Sequence, residues 1–139
     1  IAMKVTNRDL EILLANKPLI FKNRDLPVKI TYWLARLEEK VMKLYSEYEK
    51  EKVKCIEDFC ARGEDGKRLI NEKTGQYEWA SDEKRDAANA KITELLDLEV
   101  EFPFNKVNID LNKLEKVVSA DDIVVLTPFV EFSLDETLL

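Results

Sequence analysis

Residues 27–61 read PVKITYWLARLEEKVMKLYSEYEKEKVKCIEDFCA, and this stretch decides the fold. Proline suits the start of a helix, because the N–H it lacks would be unpaired there anyway. After Pro27 neither proline nor glycine occurs up to Ala61. Ile30, Leu34, Leu37, Val41, Leu44 and Tyr48 alternate steps of four and three, which is a heptad seam of nearly three heptads. Trp33, Tyr45 and Val53 widen it, Glu51 breaks its register, and the stripe resumes at Cys55, Ile56 and Phe59. Charges fill the other faces, with Glu39→Lys43 and Asp58→Arg62 oriented for (i, i+4) pairing.

Length turns this helix into a statement about assembly. About 35 residues make a rod of roughly 50 Å. A compact sphere of 139 residues is only about 37 Å across. The helix is therefore expected to outreach its own globule and to need a partner along part of its stripe. The sequence predicts a homo-oligomer joined in coiled-coil fashion through Ile30, Trp33, Leu34, Leu37, Val41, Leu44 and Tyr48, some of which pack the chain's own core instead.

Shorter elements flank the long helix. Ile1 and Ala2 precede Met3, which reads as the natural start with the first two residues a remnant. Met3 to Thr6 reads as a strand, and Thr6-Asn7-Arg8-Asp9 as a capping box for a helix carrying Leu10, Ile12, Leu13 and Leu14. That helix ends at Asn16-Lys17-Pro18, and Leu19 to Lys22 reads as extended. Gly63 suits the left-handed residue after the long helix. Lys67–Asn71 and Gln76–Trp79, around a turn with Gly75, read as a β-hairpin. Ser81-Asp82-Glu83 opens a second helix through Ala87, Ala88, Ile92, Leu95 and Leu96. Val100, Phe102, Phe104, Val107 and Ile109 give one or two strands, the first held to an edge or bulge by Pro103. Asp110 caps a short helix through Leu111, Leu114 and Val117. Ser119 caps another before Pro128, and residues 133–139 read as a flexible tail. The expectation is an α+β, helix-dominated single domain over residues 3–132, with one long amphipathic helix, a second helix packed on it, a hairpin and short strands.

Composition excludes much chemistry. Charged residues make up 36% and apolar residues 45%, the mixture of a soluble globular chain. Histidine is absent, which removes Ser-His-Asp triads, Cys-His dyads and His-ligated zinc. Cys55 and Cys60 fall in one predicted helix, too far apart for a disulfide, and two thiols without histidine make a poor metal set. No P-loop or dinucleotide fingerprint occurs. The adjacent acid pairs Glu38-Glu39, Glu57-Asp58 and Asp121-Asp122 point apart on their helices and read as surface charge or caps. The expectation is a protein without catalytic residues, metal or cofactor. No apolar run approaches the roughly 18 residues of a membrane span, and no signal-peptide pattern opens the chain. With reduced cysteines, that predicts the cytoplasm.

The net charge of −6 is unevenly spread. Residues 1–92 carry 19 Lys+Arg against 17 Asp+Glu, and residues 93–139 carry 3 against 11. The acidic third disfavours simple nucleic-acid binding. It leaves two alternatives, acidic loops covering a basic half in the same domain or in a neighbouring subunit, or an acidic partner-binding surface, with nucleic-acid mimicry as a further reading. The clearest candidate for a small-ligand or partner surface is Arg68, Tyr77 and Trp79 on the hairpin, which offer a cation and stacking faces. The alternative is that they fasten the hairpin to its helix.

The order of motifs resembles a family of small uncharacterised phage and prophage proteins of Firmicutes-type hosts, a domain of unknown function. The resemblance rests on the start MKVTNRDL, on Leu26 to Arg36 with the charged helix after it, on Glu64-Asp65-Gly66-Lys67 with the Gly75-Gln76-Tyr77 hairpin, on Glu94 to Glu101, and on Ser119-Ala120-Asp121-Asp122. It implies a phage context in the host cytoplasm and supplies no catalytic residue. The function expected is that of a non-enzymatic accessory or assembly protein acting through self-association and binding to a host or phage protein. The alternative is a counter-defence protein that blocks a host immune component or sequesters its nucleotide signal.

Overall fold

The computed structural model describes residues 3–16, 19–22, 26–113 and 119–133. In chain order the elements are strand β1 (Met3–Thr6), helix α1 (Asn7–Asn16), helix α2 (Val28–Phe59), helix α3 (Asp82–Asp97), strands β2 (Glu99–Phe102) and β3 (Val107–Asp110), helix α4 (Ala120–Leu126) and strand β4 (Val130–Ser133). The chain is α+β and helix-dominated, with one long helix as expected. It divides into two compact units, one of Ile1–Tyr45 with Glu99–Leu139, the other of Ser46–Leu98. Helix α2 contributes to both.

The first unit is built from one-sided ribbons. β1 pairs antiparallel with β2, Met3 opposite Phe102 and Thr6 opposite Glu99. Met3, Val5 and Phe102 are buried and Lys4, Glu99 and Glu101 exposed, the alternation of a strand with one dry face. β2 stops before Pro103, whose ring cannot donate to a ladder. β3 and β4 pair in parallel, Val107 opposite Val130 and Ile109 opposite Phe132. Parallel pairing needs a crossover, and α4 lies within it. Ser133 closes the pair by donating its hydroxyl to Asn108 Oδ1 at 2.8 Å. The core gathers Leu10 and Leu13 of α1, Leu34, Leu37 and Val41 of α2, and Phe102, Ile109, Leu126, Phe129 and Val130.

Local signals set the helix starts. The Thr6 hydroxyl accepts from the Asp9 amide at 3.2 Å, while the Thr6 amide donates to the Asp9 carboxylate at 3.0 Å. This is a reciprocal capping box with Asp in the acid position. Ser81 and Ser119 accept from the amides of Lys84 and Asp122 at 3.1 and 3.2 Å. Pro27 stands just ahead of α2, its carbonyl accepting from Ile30 and Thr31. Thr6→Ala should cost about 1 kcal/mol of unfolding free energy, and Thr6→Ser should restore most of it. Urea titration followed by circular dichroism reads both, and an unchanged midpoint in Thr6→Ala would deny the cap its role.

The second unit joins the end of α2, a β-knob and α3. The chain leaves α2 at Phe59 and continues extended through Cys60–Arg62, which bridge to Trp79 and Arg68, while Ile70 bridges to Tyr77. The expected two-stranded hairpin thus gains a third segment. Ala61 donates to the Glu78 carbonyl at 2.7 Å, Glu78 to Leu69 at 3.0 Å, and Leu69 back to Ala61 at 2.9 Å, a closed ring of three backbone hydrogen bonds. The turns that permit it contain Gly66 and Gly75, both with φ near +70°, where a Cβ is strained. α3 lies beside the end of α2, with Lys84 and Lys91 reaching the Phe59 ring at 5.7 and 5.6 Å.

Some local expectations are corrected. Leu19–Lys22 forms a 3-10 turn rather than an extended run, since four mostly apolar residues carry no period to separate the two. Gly63 is not the left-handed stop of α2, because pairing with the knob draws Cys60–Arg62 into extended backbone first. Cys60 is accordingly one residue beyond the helix, and both cysteines are free thiols. Asp110 accepts from the Asn112 amide at 3.0 Å, but the turn it starts is 3-10 over Leu111–Lys113. Ser133 ends β4 instead of opening a tail. The remnant Ile1-Ala2, the stop at Lys17-Pro18, Leu114, Val117 and the tail from residue 134 lie outside the described residues.

Candidate functional site

Helix α2 has two unlike faces within the first unit. Of the residues read from the sequence as an oligomer seam, Leu34, Leu37 and Val41 are fully buried among the unit's own core side chains. Ile30, Trp33 and Leu44 pack against that core, and Tyr48, in the second unit, is buried too. The inner stripe is therefore covered by the chain itself. The physical reason is that a heptad seam and the core-facing stripe of a globular helix share one periodicity, and β1, β2 and α1 supply the cover.

The opposite face was missed by sequence reading. Val28, Tyr32 and Met42 stand 81%, 64% and 56% exposed, with Ala35 and Glu39 exposed between them. Steps of three, four and seven bring all five to one side of the helix. Lys29, Arg36 and Lys43 recur at intervals of seven along one flank, all exposed. Arg36 is held in place: its guanidinium lies 5.9 Å from the Tyr32 ring and 5.1 Å from that of Phe104. Tyrosine and arginine are two of the residue types enriched at protein–protein hot spots. The signal was present in the sequence as the seven-residue basic row. Ala35 and Glu39 interrupt the apolar residues, so no stripe announced itself.

On the knob, Arg68 and Tyr77 do come together. Arg68 forms an ion pair with Glu57 near the end of α2, donates to the Tyr77 hydroxyl at 3.3 Å and lies 5.4 Å from the Tyr77 ring centre. Trp79 does not join them: it bridges to Cys60 and does not line the depression that Arg68 and Tyr77 share with Arg62, Gly66, Lys67 and Ile70. Arg62 was expected to pair with Asp58. Instead it donates to the carbonyls of Gly66 and Glu57, at 2.9 and 3.3 Å, bracing the turn against the helix.

Among the described residues, no cluster of three or more Cys, Asp or Glu side chains is arranged to hold a metal ion. Nor is any described helix long and apolar enough to cross a membrane. No family model, no curated protein and no solved structure matches the chain.

Proposed function

We propose that this chain is a non-enzymatic accessory or assembly protein that works by self-association and protein binding. The observation that carries this reading is the outer face of α2, where Val28, Tyr32 and Met42 stay exposed beside the stacked Arg36. Large apolar side chains aligned on one helix face and rimmed by charge are typical of a protein-interaction surface. The resemblance to small phage and prophage proteins adds a context, the cytoplasm of an infected host, where Cys55 and Cys60 stay reduced.

Charge supports contact between copies. The flank of Lys29, Arg36 and Lys43 is basic, whereas residues 93–139 carry 11 acidic against 3 basic side chains. Face-to-face antiparallel pairing of two α2 helices would set basic flank against basic flank. Contact between the basic flank of one copy and the acidic third of the next avoids that repulsion, and such a heterologous contact builds rings or filaments.

Light scattering at micromolar concentration tests the proposal. The expected result is a mass above the 16.2 kDa of one chain, falling toward it as salt is raised, because exposed pairs are screened. The double variant Tyr32→Glu, Met42→Glu should give the monomer mass with an unchanged circular dichroism spectrum. A wild-type particle of monomer mass over the whole range would overturn self-association.

A further inference from the structure

The knob gathers like charge at one bridge. Arg62 and Arg68 are directly opposite each other in an antiparallel bridge. Like charges in that position repel and weaken a ladder. The depression they line adds a third cation, Lys67. Glu57 offsets only one of the three charges: its carboxylate pairs with Arg68, while its backbone carbonyl accepts from Arg62. Asp65 is turned to the Lys67 amide, accepting at 3.0 Å. Among the described residues neither Arg62 nor Lys67 forms an ion pair, so two cations without a salt-bridge partner line one opening.

The cations are also positioned. Arg62 is fixed by two backbone carbonyls, and Arg68 by Glu57 and Tyr77. A guanidinium has five N–H donors in a rigid fork, so each arginine keeps donors beyond those bonds. Beside them, Ile70 and Tyr77 form a cross-strand pair, an apolar patch with one aromatic ring. The backbone beneath is the closed hydrogen-bond ring of Ala61, Leu69 and Glu78. The depression is open to solvent and offers about 360 Å³, at the small end of the roughly 300–1,000 Å³ of small-molecule sites.

We infer that the knob binds a mononucleotide, its phosphate between Arg62, Lys67 and Arg68 and its base against Tyr77 and Ile70. Phosphate supplies the missing negative charge in the geometry that arginine forks match. This inference is independent of the α2 surface, which shares none of these residues.

Calorimetry of the full chain with AMP, ribose 5-phosphate and inorganic phosphate is the test. AMP should bind about tenfold more tightly than ribose 5-phosphate, because base–aromatic stacking adds to the phosphate contacts. Lys67→Ala should weaken AMP about tenfold or more with the melting curve unchanged, since Lys67 is exposed on a turn. Tyr77→Leu should remove the preference for AMP over ribose 5-phosphate. The inference is overturned if the wild-type chain gives no heat with AMP, if Lys67→Ala binds AMP as the wild type does, or if ribose 5-phosphate binds as tightly as AMP.

Discussion

Replacing Phe102 with alanine is expected to lower the unfolding free energy by about 3–5 kcal/mol. Phe102 is the last residue of β2, fully buried and opposite Met3 in the ladder with β1. Its ring meets Phe104 at 5.5 Å and Phe129 at 5.6 Å, both edge-on, at 66° and 68°. Each such pair contributes roughly 0.5–1.5 kcal/mol beyond area burial. Truncation removes both and leaves a cavity flanked by residues on two other segments, which cannot close over it together. In a chain of this size the midpoint of thermal unfolding should fall by roughly 10 °C or more. Phe102→Leu keeps much of the volume and should cost clearly less. A loss under 1 kcal/mol in Phe102→Ala, measured by urea titration, would show that the centre of the core lies elsewhere.

Phe102 was legible in the sequence because its signal is local. Val100, Phe102 and Phe104 alternate with Glu101 and Pro103, and alternation over a few residues identifies a strand with one dry face. The same holds for the helix starts. Thr6 with Asp9, Ser81 and Ser119 each cap through the backbone amide three residues along, a contact that chain proximity favours. Pairing was harder to read. β1 joins β2 across more than ninety residues, and β3 joins β4 in parallel around α4. Neither register leaves a mark on residues near it. The third segment of the knob was hidden for a similar reason. Cys60–Arg62 continue a helical pattern in sequence, and only the ladder from Leu69 and Glu78 turns them into strand.

The candidate surfaces divide the same way. Arg68 and Tyr77 are nine residues apart across a short hairpin, so their meeting followed from the turn. Trp79 was grouped with them by proximity in sequence, but its bridge to Cys60 belongs to another edge of the knob. Sequence spacing does not join Arg62 and Lys67 to this surface, because their convergence depends on the Gly66 turn and on the third segment.

The second large expected effect separates the two faces of α2. Leu37→Ala should cost about 2–5 kcal/mol, because Leu37 is fully buried in the first unit's core, and truncation there forfeits both transfer free energy and packing. Met42→Ala, on the outer face and more than half exposed, should fall within about 0.5 kcal/mol of wild type. Periodicity alone cannot rank these substitutions, since each residue has apolar neighbours at steps of three or four. Burial ranks them, and association inverts the order. Met42→Ala should weaken self-association while leaving the stability of the dissociated chain unchanged. Leu37→Ala should lower stability at every protein concentration, because its cover comes from its own chain. If Leu37 were instead a seam between copies, the cost of Leu37→Ala would grow with protein concentration, as it does for any residue whose burial depends on a second subunit. Urea titrations at two concentrations a hundredfold apart decide this: a shift in the wild-type midpoint that Leu37→Ala abolishes would return the inner stripe to the interface. A concentration-independent loss keeps it in the core and leaves Val28, Tyr32 and Met42 as the apolar face that α2 opens to a partner in the first unit.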